Sequence, residues 1–156
     1  MAQISLNSTG VASNGALALQ SNGTTAAVTI DTSQNVGVGT GSPSAKLDLA
    51  GDYKEGVVTA NTGTSYTISL ASGTCQILTL TGNCTFTFPT ATAGKSFILL
   101  LKQDGTGSRT VTWASSVKWP SSTAPTITST ASKGDKYVFT ADGTYWWGSN
   151  AGQNYL

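Results

Sequence analysis

The chain contains no histidine, so the nucleophile–base pairs behind most hydrolytic and transfer chemistry lack their usual base. Its whole acidic supply is Asp31, Asp48, Asp52, Glu55, Asp104, Asp135 and Asp142. A glycoside hydrolase needs two such groups about 5–10 Å apart in an aromatic-lined cleft. Asp104 and Asp142 each precede a glycine, where aspartate serves the turn backbone. Asp52 and Glu55, with Lys54 between them, read as a solvated linker. No catalytic residue is assigned and no enzyme is expected. Cys75 and Cys84 are the only thiols, and with no histidine and no further thiol a zinc site is not expected. They are expected to be small, partly buried apolar side chains. A disulfide is not favoured: if Gly82-Asn83 forms a tight hairpin, Cys75 lies far along the opposite strand from Cys84. Gly37-x-Gly39-x-Gly41 lacks the Lys-Ser/Thr and following helix of a phosphate loop, and an extended strand explains it better. No cofactor and no metal are expected.

The tryptophans are the remaining candidates for chemistry, as a stacking platform for sugars. Trp113, Trp119, Trp146 and Trp147 make up the set. Trp146 and Trp147 are adjacent in an extended stretch, so they face opposite ways and at most one joins any single platform. Core or subunit contact is the preferred reading for these rings, and glycan contact is the alternative.

The elements that must position these groups are strands. In the first fifty residues, aliphatic pairs spaced i, i+2 recur between Gly, Asn and Ser breaks: Ile4/Leu6, Leu17/Leu19, Val28/Ile30, Val36/Val38 and Leu47/Leu49. Period-two alternation marks strands with one apolar face, and Asn14-Gly15 and Asn22-Gly23 are strong turn signals. The opposite face holds only small or polar residues such as Ala18, Thr29, Gly37 and Asp48. Burying ten aliphatic side chains falls short of the entropy cost of ordering so long a segment. Residues 1–50 are therefore expected to fold against other surfaces, as an extended assembly or anchoring arm. A pure linker would have no use for the aliphatic pairs.

Beyond a boundary near Gly51-Asp52, aromatics arrive and the strands lengthen. Tyr66/Ile68/Leu70, Cys75–Leu80 and Cys84/Phe86/Phe88 read as strands. Ser96–Leu101 is apolar on both parities, which predicts a central strand buried on both faces. Gln103–Gly107 reads as a turn, Thr126–Thr130 as a threonine-rich strand, and Asp142-Gly143 as the turn of a hairpin. No helical periodicity appears. Residues 51–156 are expected to form a β-sandwich, jelly-roll-like, with its own core.

Charged residues make up only 10% of the 156, the net charge is +1, and no basic cluster exists, so nucleic acid and anionic membrane are poor partners. No apolar run approaches a membrane span, and the amino terminus lacks the features of a signal peptide. Synthesis in a cytoplasm follows. A surface rich in Ser and Thr suits an external particle or fibre.

Asn35-Val36-Gly37-Val38-Gly39-Thr40-Gly41-Ser42-Pro43-Ser44-Ala45-Lys46-Leu47-Asp48-Leu49 resembles a motif of bacteriophage fibre and related virion proteins. The stretch from Phe97 through Gln103–Trp113 to Trp119-Pro120 and Tyr145–Gly148 resembles a small β-domain of phage structural proteins. The resemblance implies a homotrimer with intertwined β-segments at the virion surface, and carries over no catalytic residue. The expected trimer and anchoring contacts are the ten aliphatics. The chain is shorter than long tail fibres and shows no separate tail-docking domain. A capsid decoration protein (cement or head fibre) bound to the major capsid protein is therefore the leading expectation. Its arm, Ile4 to Leu49, would lie on the shell or intertwine with neighbours. The alternative is a short tail fibre, joined to tail components, whose tryptophans contact host surface glycans.

Overall fold

A computed structural model describes residues 15–22 and 25–155. Ile4, Leu6 and Asn14 lie outside the described residues. The chain divides into two compact units, Met1–Lys54 and Glu55–Leu156. Among the described residues every regular element is β, apart from one 3₁₀ turn at Pro120–Ser122.

In the first unit the aliphatic pairs fall in four strands: β1 (Leu17–Asn22), β2 (Thr25–Ile30), β3 (Val36–Val38) and β4 (Leu47–Leu49). They lie in that order in one sheet, antiparallel from β1 to β3 and parallel between β3 and β4. Asp31 shapes the turn after β2. Its Oδ1 accepts the amides of Ser33 and Asn35 at 2.8 and 2.9 Å, and Asn35 Nδ2 donates to Oδ2. The Asn35 amide bond is the largest cause holding the Asp31 carboxyl below its usual range. Parallel neighbours ordinarily need a crossover of a dozen or more residues. Here residues 39–46 suffice, because the chain folds back directly over β3. Thr40 and the buried Pro43 cover Gly37 so closely that a Cβ there would lie 2.6 Å from the Thr40 carbonyl oxygen. Ser44 closes the return, its amide and hydroxyl both donating to Asp48 Oδ2 at 2.8 Å. The fibre-like string is thus one β-arch, its bend closed by Thr40, Pro43, Ser44 and Asp48.

In the second unit, successive strands go to alternate sheets. The strands β5 (Val57–Asn61), β7 (Cys75–Leu80) and β9 (Ser96–Gln103) run parallel in one sheet. The strands β6 (Ser65–Thr67), β8 (Cys84–Thr87) and β10 (Val111–Thr112) run parallel in the other. The chain therefore winds as stacked coils. The remaining strands are β11 (Val117–Lys118), β12 (Gly134–Ala141) and β13 (Trp146–Tyr155), and they complete a six-stranded sheet of order β11-β13-β12-β9-β7-β5. The order in the smaller sheet is β10-β8-β6. The domain is all-β with two sheets on one core, but its winding is parallel where a jelly roll is antiparallel. Gly82-Asn83 is a corner between sheets, not a hairpin, and Asn83 Oδ1 accepts the Thr110 amide of the next coil. Asp142-Gly143 does turn the antiparallel hairpin of β12 and β13.

Both sheets feed one core. Leu78, Leu80, Phe97, Leu99, Leu101, Tyr137, Phe139 and Trp146 come from the larger sheet, Cys84 and Phe86 from the smaller, with Ile68 and Phe88 just beyond it. The strand expected to be buried on both faces is buried on one. Phe97, Leu99 and Leu101 point inward, while Ile98 on the outer face is 37% exposed. β9 is central within its sheet, but the unit has only two layers, so no third layer covers that side. Thr126–Thr130 is not a strand; side chains satisfy its backbone instead. Gln103 Nε2 donates to the Thr128 carbonyl at 2.8 Å, and Asp135 Oδ2 accepts the Thr128 amide at 2.7 Å.

Gly148 on β13 makes room for the aromatic core. A Cβ there would sit 2.7 Å from Trp119 Cζ3 and 2.9 Å from Phe139 Cε1, two rings packed edge to face. Phe139 is fully buried, and Trp119 is packed against the core. Gly148→Ala is expected to cost about 1–3 kcal/mol, the usual penalty of overpacking, read as a lowered urea midpoint with unchanged slope.

Candidate functional site

Register brings the first unit's aliphatics together. Leu17, Ile30, Val36 and Leu47 are cross-strand neighbours in one row, and Leu19, Val28, Val38 and Leu49 form the next. Residues paired directly across strands share a face, so all eight side chains stand on one side of the sheet. The opposite side carries Ala18, Thr29, Gly37 and Asp48 in register, with Thr29 and Gly37 buried. The polar side is therefore covered over β2 and β3, while Ala18 at the β1 edge is exposed. The apolar side is open: Leu19 is 54% exposed and Leu47 61%, with Ile30, Val38 and Leu49 also exposed. A contiguous aliphatic face of this kind marks an interaction surface.

The tryptophans separate. Trp146 is fully buried, and its indole N–H donates to the Pro89 carbonyl at 2.7 Å. Trp113 stacks on Phe86 at 5.6 Å and meets Trp119 edge to face at 5.1 Å, both partly buried against the core. Trp147, on the other side of β13 from Trp146, is 52% exposed. A four-ring platform does not exist.

A smaller aromatic site does. Trp119, Tyr145 and Trp147 line an open cleft of about 550 Å³, together with Lys118, Ser122, Asp142 and Thr144. β11 pairs with β13 so that Lys118 lies opposite Trp147. Tyr145 and Trp147 share a side of the strand by alternation. The Lys118 ammonium sits 4.3 Å from the Tyr145 ring centroid, within cation–π range. Asp142 organises the rim: Oδ1 accepts the amides of Thr144 and Tyr145, and Oδ2 accepts the Trp147 indole N–H at 2.7 Å. The Tyr145 amide bond, then those of Thr144 and the indole, hold the Asp142 carboxyl below its ordinary range. Sequence reading missed Lys118, Tyr145 and Asp142 as cleft residues; the shared parity of Tyr145 and Trp147 was the available signal.

The other acidic groups serve the scaffold. Asp104 Oδ1 accepts the amides of Thr106 and Gly107, and its Oδ2 takes the Arg109 guanidinium at 2.9 Å. Cys75 and Cys84 are free thiols on different sheets. Asp135 is buried and tethers the end of β13: Thr128 and Asn154 amides, Tyr137 Oη and Gln153 Nε2 all donate to it. Burial pushes its carboxyl up, yet the hydrogen bonds together outweigh burial and leave it below the usual value. Burial, reinforced by the Asp135 charge, pushes the Tyr137 phenol up in turn. A lowered folded value means that stability is present above the unfolded carboxyl pKa of about 3.9 and is lost as pH falls through the folded value. Asp135→Ala is expected to cost about 2–4 kcal/mol near neutral pH by stranding its donors. The difference from the unsubstituted chain should shrink below about pH 4, as urea titrations at a series of pH values would show.

Residues 64–144 match the family described as "Putative phage tail fibre C-terminal domain". The matched stretch runs from β6 to the β12–β13 turn and takes in most of the parallel coils. No curated protein and no solved structure matches the chain.

Proposed function

The chain belongs to the phage tail fibre C-terminal domain family, and from that premise we propose that it is a non-enzymatic fibre subunit that assembles as a homotrimer through the apolar face of its first sheet. Family membership itself makes the chain a virion-associated structural protein of the fibre type. The observation that carries the assembly reading is the pair of aligned aliphatic rows, Leu17-Ile30-Val36-Leu47 and Leu19-Val28-Val38-Leu49, on one side of a sheet, with Leu19, Ile30, Val38, Leu47 and Leu49 exposed and Leu17, Val28 and Val36 half-buried. A chain that builds such a face and covers only the opposite side is made to meet copies of itself. Closed threefold association buries all three apolar faces about one axis.

Sedimentation equilibrium of the full chain tests this. A species of three times 15.9 kDa is expected at micromolar concentration, and a single-chain mass would refute it. The tail is the favoured location, because the matching family is a tail fibre domain. A decoration or cement protein on the capsid uses the same face differently, stabilising the shell by mass action across major capsid subunits. Copy number in purified particles separates the two. A number following the low-order symmetry of a tail supports the fibre, and one following the capsid lattice supports decoration.

A further inference from the structure

We propose that the cleft lined by β11 and the start of β13 is a saccharide-binding site in which the Trp147 indole is the platform for a hexopyranose ring. The inference deepens the fibre reading and rests on it for the source of the sugar, a polysaccharide on a cell surface; the site itself is argued from geometry.

Trp147 is a large apolar plate held in solvent. It is 52% exposed, and Tyr145 beside it is 39% exposed. Neither ring contributes to the core, which Trp146 fills from the opposite side of the same strand. Yet the plate is fixed. Its N–H is bonded to Asp142 Oδ2 at 2.7 Å, and Asp142 is itself anchored by two backbone amides. An exposed ring locked in one orientation pays its ordering entropy before any ligand arrives, which is the preorganisation that binding rewards.

The rim then selects the class of ligand. A pyranose offers an apolar C–H face bordered by hydroxyls that both donate and accept. Around the Trp147 plate stand an acceptor, the Asp142 carboxylate, and donors, the Lys118 ammonium and the hydroxyls of Ser122 and Thr144. Lys118 spends one hydrogen bond on the Ser115 carbonyl at 3.3 Å and holds further N–H groups in reserve. An apolar peptide helix would leave Lys118 and Asp142 unpaired against it. A polyanion would meet the Asp142 carboxylate at the edge of the plate. The cleft is open at the surface, so a sugar chain can run past it while one ring stacks.

The test uses the full chain and saturation-transfer NMR with methyl α- and β-hexopyranosides and N-acetylhexosamines as probes. Transfer to the C–H protons of one ring face is expected for at least one of these sugars. Trp147→Ala should weaken that binding about tenfold or more, and Trp147→Phe, which keeps a plate but loses the Asp142 bond, should weaken it less. Both substitutions fall at an exposed position, and unchanged thermal melting will verify the fold. Absence of transfer from every probe, or equal affinity in Trp147→Ala, would overturn the site. Neither outcome touches the sedimentation mass that tests assembly. Conversely, a sugar-binding monomer would sink the trimer and leave the cleft standing.

Discussion

Replacing Leu19 and Leu47 together with lysine is expected to turn the assembled protein into single chains. These two are the most exposed of the aliphatic positions, one in each row and at opposite edges of the sheet. Because each is more than half exposed in the isolated chain, lysine there costs little within the monomer; β-propensity differences span only about 1 kcal/mol. In an assembly the same side chains are enclosed, and an unpaired buried ammonium costs several kcal/mol. Two per chain, repeated by symmetry, exceed what a subunit contact can absorb. Light scattering should report the mass of one chain, with the melting of residues 55–156 unaffected. Hydrogen exchange supplies a second readout. Protection over Leu17–Leu49 should depend on concentration in the parent protein and be low at all concentrations in the variant. Deleting residues 1–30, which removes β1 and β2, should likewise abolish particle binding while the second unit stays folded. An unchanged mass in the lysine variant would place the subunit contact elsewhere.

The second large effect belongs to Trp146. Trp146→Ala removes the largest fully buried side chain, packed 5.2 Å from Phe97, and strands the Pro89 carbonyl that its indole serves. Truncating a buried tryptophan costs about 3–5 kcal/mol, a large share of the roughly 5–15 kcal/mol that holds a domain. Equilibrium urea denaturation should show the midpoint collapse. Trp146→Phe keeps a ring but loses the bond to Pro89 and should cost about 1–2 kcal/mol. One residue on, Trp147→Ala should change stability by no more than about 0.5 kcal/mol. Two adjacent tryptophans with opposite sensitivities would be the direct signature of strand alternation.

Alternation is also what made much of the molecule legible. The pairs Leu17/Leu19 through Leu47/Leu49 read as short one-faced strands because period two is a local property, and all four described pairs are strands. Asp142-Gly143 read as a hairpin turn because turn chemistry is local as well. Strand direction is not local: a parallel and an antiparallel strand have the same side-chain period, so the coil winding stayed hidden. Gly82-Asn83 shows the point, its turn composition being compatible with a corner between sheets as much as with a hairpin. The apolar run at Ser96–Leu101 misled for another reason. Periodicity registers an apolar face but not whether a further layer exists to cover it. The parity shared by Tyr145 and Trp147 hinted at the cleft, but Lys118 and Trp147, far apart in sequence, become neighbours only through the β11–β13 register.

The coils of the second unit stack through their backbones, each handing the next an edge of amides and carbonyls, parallel and in step. Length is accordingly a modular property. A duplicated loop of sequence spliced in at the Gly82 corner would add one rung of about 4.7–4.9 Å to the column and leave the hairpin at its end intact. Reach and recognition can thus be altered separately, one by counting turns and the other by editing a few side chains around Trp147.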